Sequence, residues 1–261
     1  MAWLAGAGVP GAGGRAIGLG LAMICLQISI GTVNDIVDIE HDRGAKPAKP
    51  LPRGLIGRPA AWLLAALGLL AGLGLSALIE PRAALVAIVG VGLGYAYDLR
   101  LKVSPWSWLP FALGIGLLPV YAWLGATGSI PAAFGLLLPM ATLAGASLAL
   151  ANQLADDERD RQEGLRTAVG SLGRARAWAL SASLDAVVGL IALASLVIVS
   201  APALAIAGAD LSVALVAVGL SLGRSRLPST RERAWEIQAV AFACLAVAWL
   251  AGLANQGLLR A

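Results

Sequence analysis

Apolar residues in this chain come in long, nearly uninterrupted runs, separated by short segments that hold most of the charge. A helix needs about 20 residues to cross the ~30 Å hydrocarbon core of a bilayer. Runs of about that size lie at 17–36, 60–79, 82–97, 107–125, 131–151, 177–199, 202–222 and 237–257. None has the apolar/polar alternation of a barrel strand, and a backbone in lipid satisfies its own hydrogen bonds only in a helix or a closed barrel. The pattern predicts an all-α, polytopic transmembrane helical bundle with eight full helices, the whole of 1–261 forming a single integral-membrane domain.

Composition agrees. Hydrophobic residues make up 59% and charged residues 13% of the chain, against about a quarter charged in soluble domains, which excludes an ordinary soluble fold. When the loops are assigned alternately to two sides, 16 of the 19 Lys and Arg fall on one side, and only Arg15, Arg82 and Arg260 fall on the other. The positive-inside rule makes the crowded side cytoplasmic and the protein a multi-pass component of the cell membrane. The net charge of +4 is thereby explained by topology. The basic residues have no stacking aromatics among them, so no nucleic-acid partner is expected. Trp62, Trp106, Trp108, Trp178 and Trp235 stand near the cytoplasmic helix ends, where amphipathic rings act as anchors. Cys25 and Cys244 match no metal or redox spacing and read as free thiols. The first 14 residues, rich in glycine, are too short for a span and lack the basic start of a signal peptide.

Against this background one charged word occurs twice. Asn34 to Arg43 and Asn152 to Arg161 both read N-x-x-x-D-x-E-x-D-R, each at the end of an apolar run and both on the cytoplasmic side of the predicted topology. Positions four apart on a helix drift by only about 40°. Asn34, Asp38 and Asp42 therefore share one face, and so do Asn152, Asp156 and Asp160. Glu40 and Glu158 lie off these stripes and are expected to be solvated or salt-bridged to the neighbouring Arg. Carboxylate oxygens without His or Cys suit magnesium, which takes one or two carboxylates together with substrate phosphates. Two such faces directed at each other would hold a diphosphate between metal ions. Charged runs that merely solvate helix ends are the plainer reading of a single cluster, but two in the same register favour a site. Between the words, Tyr97 and Lys102 lie at another cytoplasmic helix end, with Lys102 suited to a phosphate oxygen. Asp185 and Asp210 interrupt apolar helices, where they either face an interior cavity or pair with basic groups. His41 lies off the stripe and reads as a surface residue. Acidic residues in a bundle also mark transporters, although those carboxylates are expected near the midplane.

These residues resemble the UbiA family of intramembrane prenyltransferases. Asn34, Asp35, Asp38 and Asp42 fit its N-D-x-x-D-x-x-x-D motif, and Lys46 to Gly54 is similar to its K-P-x-R-P-L-x-x-G continuation, with Lys49 in place of Arg. Asp156 and Asp160 fit the second D-x-x-x-D motif, with Gly164, Thr167 and Gly173 after it, and Tyr97 and Lys102 fit Y-x-x-x-x-K. The resemblance implies a bundle around a central cavity capped by cytoplasmic loops. It implies a magnesium-dependent transferase that moves an isoprenyl group from an isoprenyl diphosphate to an acceptor by way of an allylic cation. Asp38, Asp42, Asp156 and Asp160 would hold Mg2+, and with Lys102 they would form the catalytic set. Asn34, Asp35, Arg43, Lys46, Tyr97, Asn152 and Arg161 would contact substrate. The form of the second word leans toward quinone-pathway members and an aromatic acceptor. A cyclase, a non-aromatic acceptor, a transporter and an inactive homologue are the alternatives. Family members usually have nine helices, so the N-terminal segment reads as the tail of an incomplete first helix. They also often have Ser or Thr after the motif tyrosine, where this chain has Asp98, an acid that would oppose anion binding unless it pairs with Arg100 or Lys102.

Overall fold

A computed structural model of the chain describes residues 11–46 and 48–259. Among the described residues eight helices are long and apolar enough to span a membrane, in the predicted order. The chain divides into two compact units, one comprising the sequence up to Lys102 with Val120–Gly128, the other Val103–Pro119 with the sequence from Ser129 onward.

The N-terminal unit contains α1 (Ala12–Val37), α2 (Ile39–Ala45), α3 (Arg58–Ile79) and α4 (Pro81–Leu99), followed by a 3-10 turn from Leu101. Residues 12–14 open α1 instead of forming the end of a separate helix; the rest of the segment read as an incomplete first helix lies outside the described residues. Lipid offers little hydrophobic drive between helices, so close approach depends on small residues and interhelical hydrogen bonds. Gly72 supplies the first: a Cβ there would stand 2.9 Å from the Ala22 carbonyl oxygen, so α1 and α3 meet backbone to backbone. Ser29 supplies the second, its hydroxyl donating to the Ala65 carbonyl at 2.6 Å and sharing a 2.7 Å hydrogen bond with the Tyr95 hydroxyl, so that α1, α3 and α4 are tied together. Leu19, Leu26, Ala83, Ala87, Val91, Tyr121 and Ala126 fill the core of this unit.

The C-terminal unit holds the first part of α5 (Trp108–Thr127), then α6 (Phe134–Gln162), α7 (Ala168–Leu172), α8 (Arg174–Ile198), α9 (Ala203–Leu222) and α10 (Pro228–Asn255). Two helices outrun the hydrophobic pattern. α6 continues to Gln162 because Glu, Arg and Gln tolerate helix well, the Asp157–Arg161 pair at 2.8 Å spans one turn, and Arg159 and Arg161 sit in the last turn, where cations suit the helix dipole. α10 begins at Pro228, a residue favoured in a first turn. Leu150, Leu154, Ala168, Val169 and Ala177 bury the short α7 against α6 and α8. Thr167 caps α7 by accepting from the Gly170 amide at 3.1 Å, and Gly173 supplies the positive φ of 80° that links α7 to α8.

Candidate active site

The first acidic word is not one uninterrupted helix. α1 ends at Val37, Asp38 takes φ −90° and ψ 4°, and α2 resumes at Ile39. The four-residue spacing survives, because the Asp38 amide donates to the Asn34 carbonyl at 2.9 Å and the Asp42 amide to the Asp38 carbonyl at 2.7 Å. Asn34, Asp38 and Asp42 accordingly engage a linked set of polar groups within the N-terminal unit. Asn34 donates through Nδ2 to Asp98 Oδ1 at 2.8 Å. Asp38 is hydrogen-bonded and ion-paired to Lys102, sixty-four residues away in sequence. Lys49 donates to both Asp35 Oδ1 and Asp42 Oδ2, each at 2.6 Å. Burial alone would lower the Lys49 pKa, but the carboxylates of Asp35 and Asp42 outweigh it and hold the ammonium above its ordinary value of 10.5.

Asp98 makes its hydrogen bond with Asn34, not with Arg100 or Lys102, and its second oxygen, Oδ2, is buried and accepts no hydrogen bond. Tyr97 is partly buried near the end of α4, and Lys46 is exposed at the end of α2. Arg43 turns to Glu40 at 2.6 Å, and Glu40 also reaches Arg58 at 3.4 Å, so that arginine and glutamate form an exposed cluster of their own. Leu51, buried with Ile36, Ile39 and Ala61, pins the loop that carries Lys49 to the base of the word. Sequence reasoning missed Lys49, although its place in the K-P-x-K-P run was the available signal.

The second word lies wholly on α6 in the C-terminal unit. Asn152 and Asp156 border a polar cavity of about 450 Å³ whose other wall includes Pro228, Glu232 and Trp235 of α10. Asp156 is ion-paired to Arg159 at 3.0 Å, and Asp160, one turn further on, is buried. Asp157, also buried, takes Arg161 at 2.8 Å, which accounts for the site's predicted arginine. Glu158 is held by Arg174 at 2.6 Å and by Arg231. Arg231, counted in the sequence as a loop cation, is 1% exposed inside α10 and donates to the Leu154 carbonyl of α6 at 2.8 Å. Only tertiary packing reveals it. Deeper in the same unit an apolar cavity of about 230 Å³ is lined by Met140, Leu148, Val188, Phe242 and Trp249, among others.

Of the two intramembrane acids, Asp210 is exposed on α9. Asp185 is buried on α8 beside the Ser147 hydroxyl, with neither carboxyl oxygen in a well-formed hydrogen bond. Among the described residues no three His, Cys, Asp or Glu side chains converge closely enough to hold a metal by themselves. The first word nevertheless gathers the carboxyl groups of Asp35, Asp38 and Asp42 around two ammonium groups, with Asp98 held to the same word by Asn34. An excess of hard oxygen donors with one orphaned buried oxygen fits a divalent cation that completes its shell with phosphate and water.

Comparison with known proteins bears on the family and the fold. The sequence model of the UbiA prenyltransferase family matches residues 1–245. The digeranylgeranylglyceryl phosphate synthase of Pyrococcus abyssi is 33% identical over 167 residues, 63% of this chain and 60% of that protein. The chloroplastic chlorophyll synthase of Arabidopsis thaliana is 30% identical over 183 residues, 62% of this chain and 45% of that protein. The alignments thus span about half to two thirds of the length of these curated relatives. A solved UbiA homologue from Archaeoglobus fulgidus, described as bound to GPP and Mg2+, superposes with a TM-score of 0.67 at 20% identity, covering 90% of this chain and 87% of that one. The eight apolar helices and the family match make this a multi-pass membrane protein, and the chain belongs to the UbiA prenyltransferase family.

Proposed function

We propose that the protein is a magnesium-dependent prenyltransferase whose acidic words serve Mg2+ and an isoprenyl diphosphate and whose residues 1–261 act as a single catalytic domain. The observation that carries this reading is the Asp38–Lys102 pair: it brings a phosphate-suited ammonium to the middle of a carboxylate stripe from a different helix end. Asp38, Asp42, Asp156 and Asp160 would hold Mg2+, which when bound supplies positive charge to the leaving diphosphate. Lys102 hydrogen-bonds a diphosphate oxygen and stabilises the charge that develops as the allylic C–O bond ionises. Asn34 and Asn152, one turn before each stripe, orient phosphate oxygens. Asp35 within the first word, together with Lys46 and Tyr97, serves as a substrate contact, while Arg43 and Arg161 act from their ion pairs with Glu40 and Asp157. The apolar helices exclude water from the allylic cation until a nucleophilic acceptor captures it. The loops carrying the words face the cytoplasm of a cell membrane, in keeping with the distribution of Lys and Arg.

For the acceptor, the aromatic reading rests on the form of the second word. A second reading, a glycerol phosphate lipid, is favoured by a specific observation: the Pyrococcus relative is named for a glyceryl phosphate product. Membranes containing the protein, supplied with Mg2+, labelled geranylgeranyl diphosphate and a panel of aromatic and glycerol phosphate acceptors, test both. The expected result is Mg2+-dependent diphosphate release with label transferred to one class. Absence of release with every acceptor would overturn the transferase reading.

A further inference from the structure

Lys49 stands apart from the catalytic set above, yet it makes the tightest use of the first word. Its Nζ lies 2.6 Å from Asp35 and 2.6 Å from Asp42. Asp42 is almost fully enclosed, its side chain 3% exposed, whereas Lys49 keeps 27%. The loop geometry is set by packing and backbone hydrogen bonds: Leu51 is buried against Ile36, Ile39 and Ala61, the Lys49 amide donates to the Lys46 carbonyl at 3.1 Å, and the Lys49 carbonyl accepts from Arg53 at 3.2 Å. With Lys102 on Asp38, each carboxylate of the Asp35, Asp38 and Asp42 set already has an ammonium on it.

We infer that Lys49 is the resident counter-cation of Asp35 and Asp42, a positioning residue that couples divalent-cation binding at Asp42 to the arrival of an anion. This rests on the reading of the first word as a cation site. The physical ground is competition for the same lone pairs. An enclosed carboxylate is costly without a cation, so Lys49 keeps Asp42 charged and ordered before ligand arrives. When the Asp42 oxygens turn to a dication, the ammonium loses both of its partners and stands beside a new positive charge, an arrangement favourable only if a phosphate group takes its hydrogen bonds. A lysine suits this exchange because its compact charge rides on a flexible stem with three rotatable donors. The coupling is reciprocal: the anion strengthens cation binding by the factor with which the cation strengthens anion binding.

The test uses the full-length protein in lipid nanodiscs and two calorimetric titrations, Mg2+ alone and inorganic pyrophosphate at saturating Mg2+. Relieved of the competing charge, Lys49→Met is expected to bind Mg2+ alone about tenfold more tightly than wild type and pyrophosphate about tenfold more weakly, a modest share of the interaction between unit charges a few ångströms apart. Lys49→Gln, which retains a hydrogen-bond donor, is expected to shift Mg2+ binding in the same direction, and Lys49→Arg, which restores the charge, to return both affinities toward wild type. Unchanged or weaker Mg2+ binding in both Lys49→Met and Lys49→Gln would overturn the inference. Asp42→Asn separates the two levels: Mg2+ binding that survives it overturns the cation-site reading and this inference with it, whereas binding lost in Asp42→Asn but unaltered in the neutral Lys49 variants overturns the inference alone.

Discussion

Replacing Arg231 with methionine removes the tie between the second acidic word and the last helix. The side chain is 1% exposed. Its guanidinium donates to the carbonyls of Leu154 at 2.8 Å, Ala155 at 3.3 Å, Ser225 at 3.1 Å and Arg226 at 3.0 Å, and to the carboxylate of Glu158. Methionine replaces the volume of the stem and none of the bonds. Glu158 is 45% exposed and keeps Arg174 at 2.6 Å, so the lost ion pair is screened and counts for about 1 kcal/mol at most. The Ala155 bond is long and lies in mid-helix, where the carbonyl has a backbone donor, and adds little. The Leu154 bond and the two carbonyls in the turn between α9 and α10 count for about 1 kcal/mol each. The total is about 3–4 kcal/mol, which for a chain of this size lowers Tm by roughly 10 °C. Retention of a monodisperse size-exclusion peak in detergent after stepwise heating measures the shift. Glu158→Gln should cost about 1 kcal/mol or less on the same reasoning. An Arg231→Met protein that melts within about 2 °C of wild type, or a Glu158→Gln protein that loses as much as Arg231→Met, would refute this division of the energy.

Asp38→Asn and Asp156→Asn are each expected to abolish Mg2+-dependent diphosphate release in membranes, while Glu40→Gln largely spares it, because Glu40 engages Arg43 and Arg58 at the surface; full turnover by either aspartate variant would remove it from the metal assignment. Asp185→Leu should raise thermal stability by about 1 kcal/mol, since it deletes a buried carboxyl group that has only the Ser147 hydroxyl nearby and no well-formed hydrogen bond, and a marked loss of stability in the same heating assay would show that the Ser147 contact outweighs the cost of burial. The ion pairs raise the Lys49 pKa above its unfolded value, so their contribution is fully present below about pH 10.4 and fades only as pH rises through the higher folded value. The stability difference between wild type and Lys49→Met should therefore be flat from about pH 6 to 9 and shrink in stronger alkali; a gap that closes near neutrality would contradict the assignment.

Much of the molecule was legible before any coordinate. Hydrophobic run length determines a spanning helix because lipid leaves the backbone no other partner, and all eight runs became helices. Four-residue spacing determines a shared helical face, and the Asn34, Asp38, Asp42 stripe kept its spacing even through the break at Asp38. The pairing of Glu40 with its neighbour Arg43 followed from the same geometry, whereas Glu158 is held by Arg174 and Arg231, which are distant in sequence. Boundaries were less legible: α6 outran its apolar run because a charged helix end at the membrane surface carries no hydrophobic signal.

What the sequence could not order was the choice among cations. Lys46, Lys49, Lys102, Arg43, Arg161 and Arg231 are equivalent on a charge count, yet Lys102 and Lys49 close on the first stripe, Arg43 and Arg161 turn to local acids, and Arg231 is buried. Asp98 likewise met an amide where its neighbours in sequence offered cations. Local pattern determined which elements form and which faces they present. Tertiary structure alone decided which charges meet, because ion pairing depends on distances between helix ends that are far apart in sequence and on the burial that makes an unpaired charge costly.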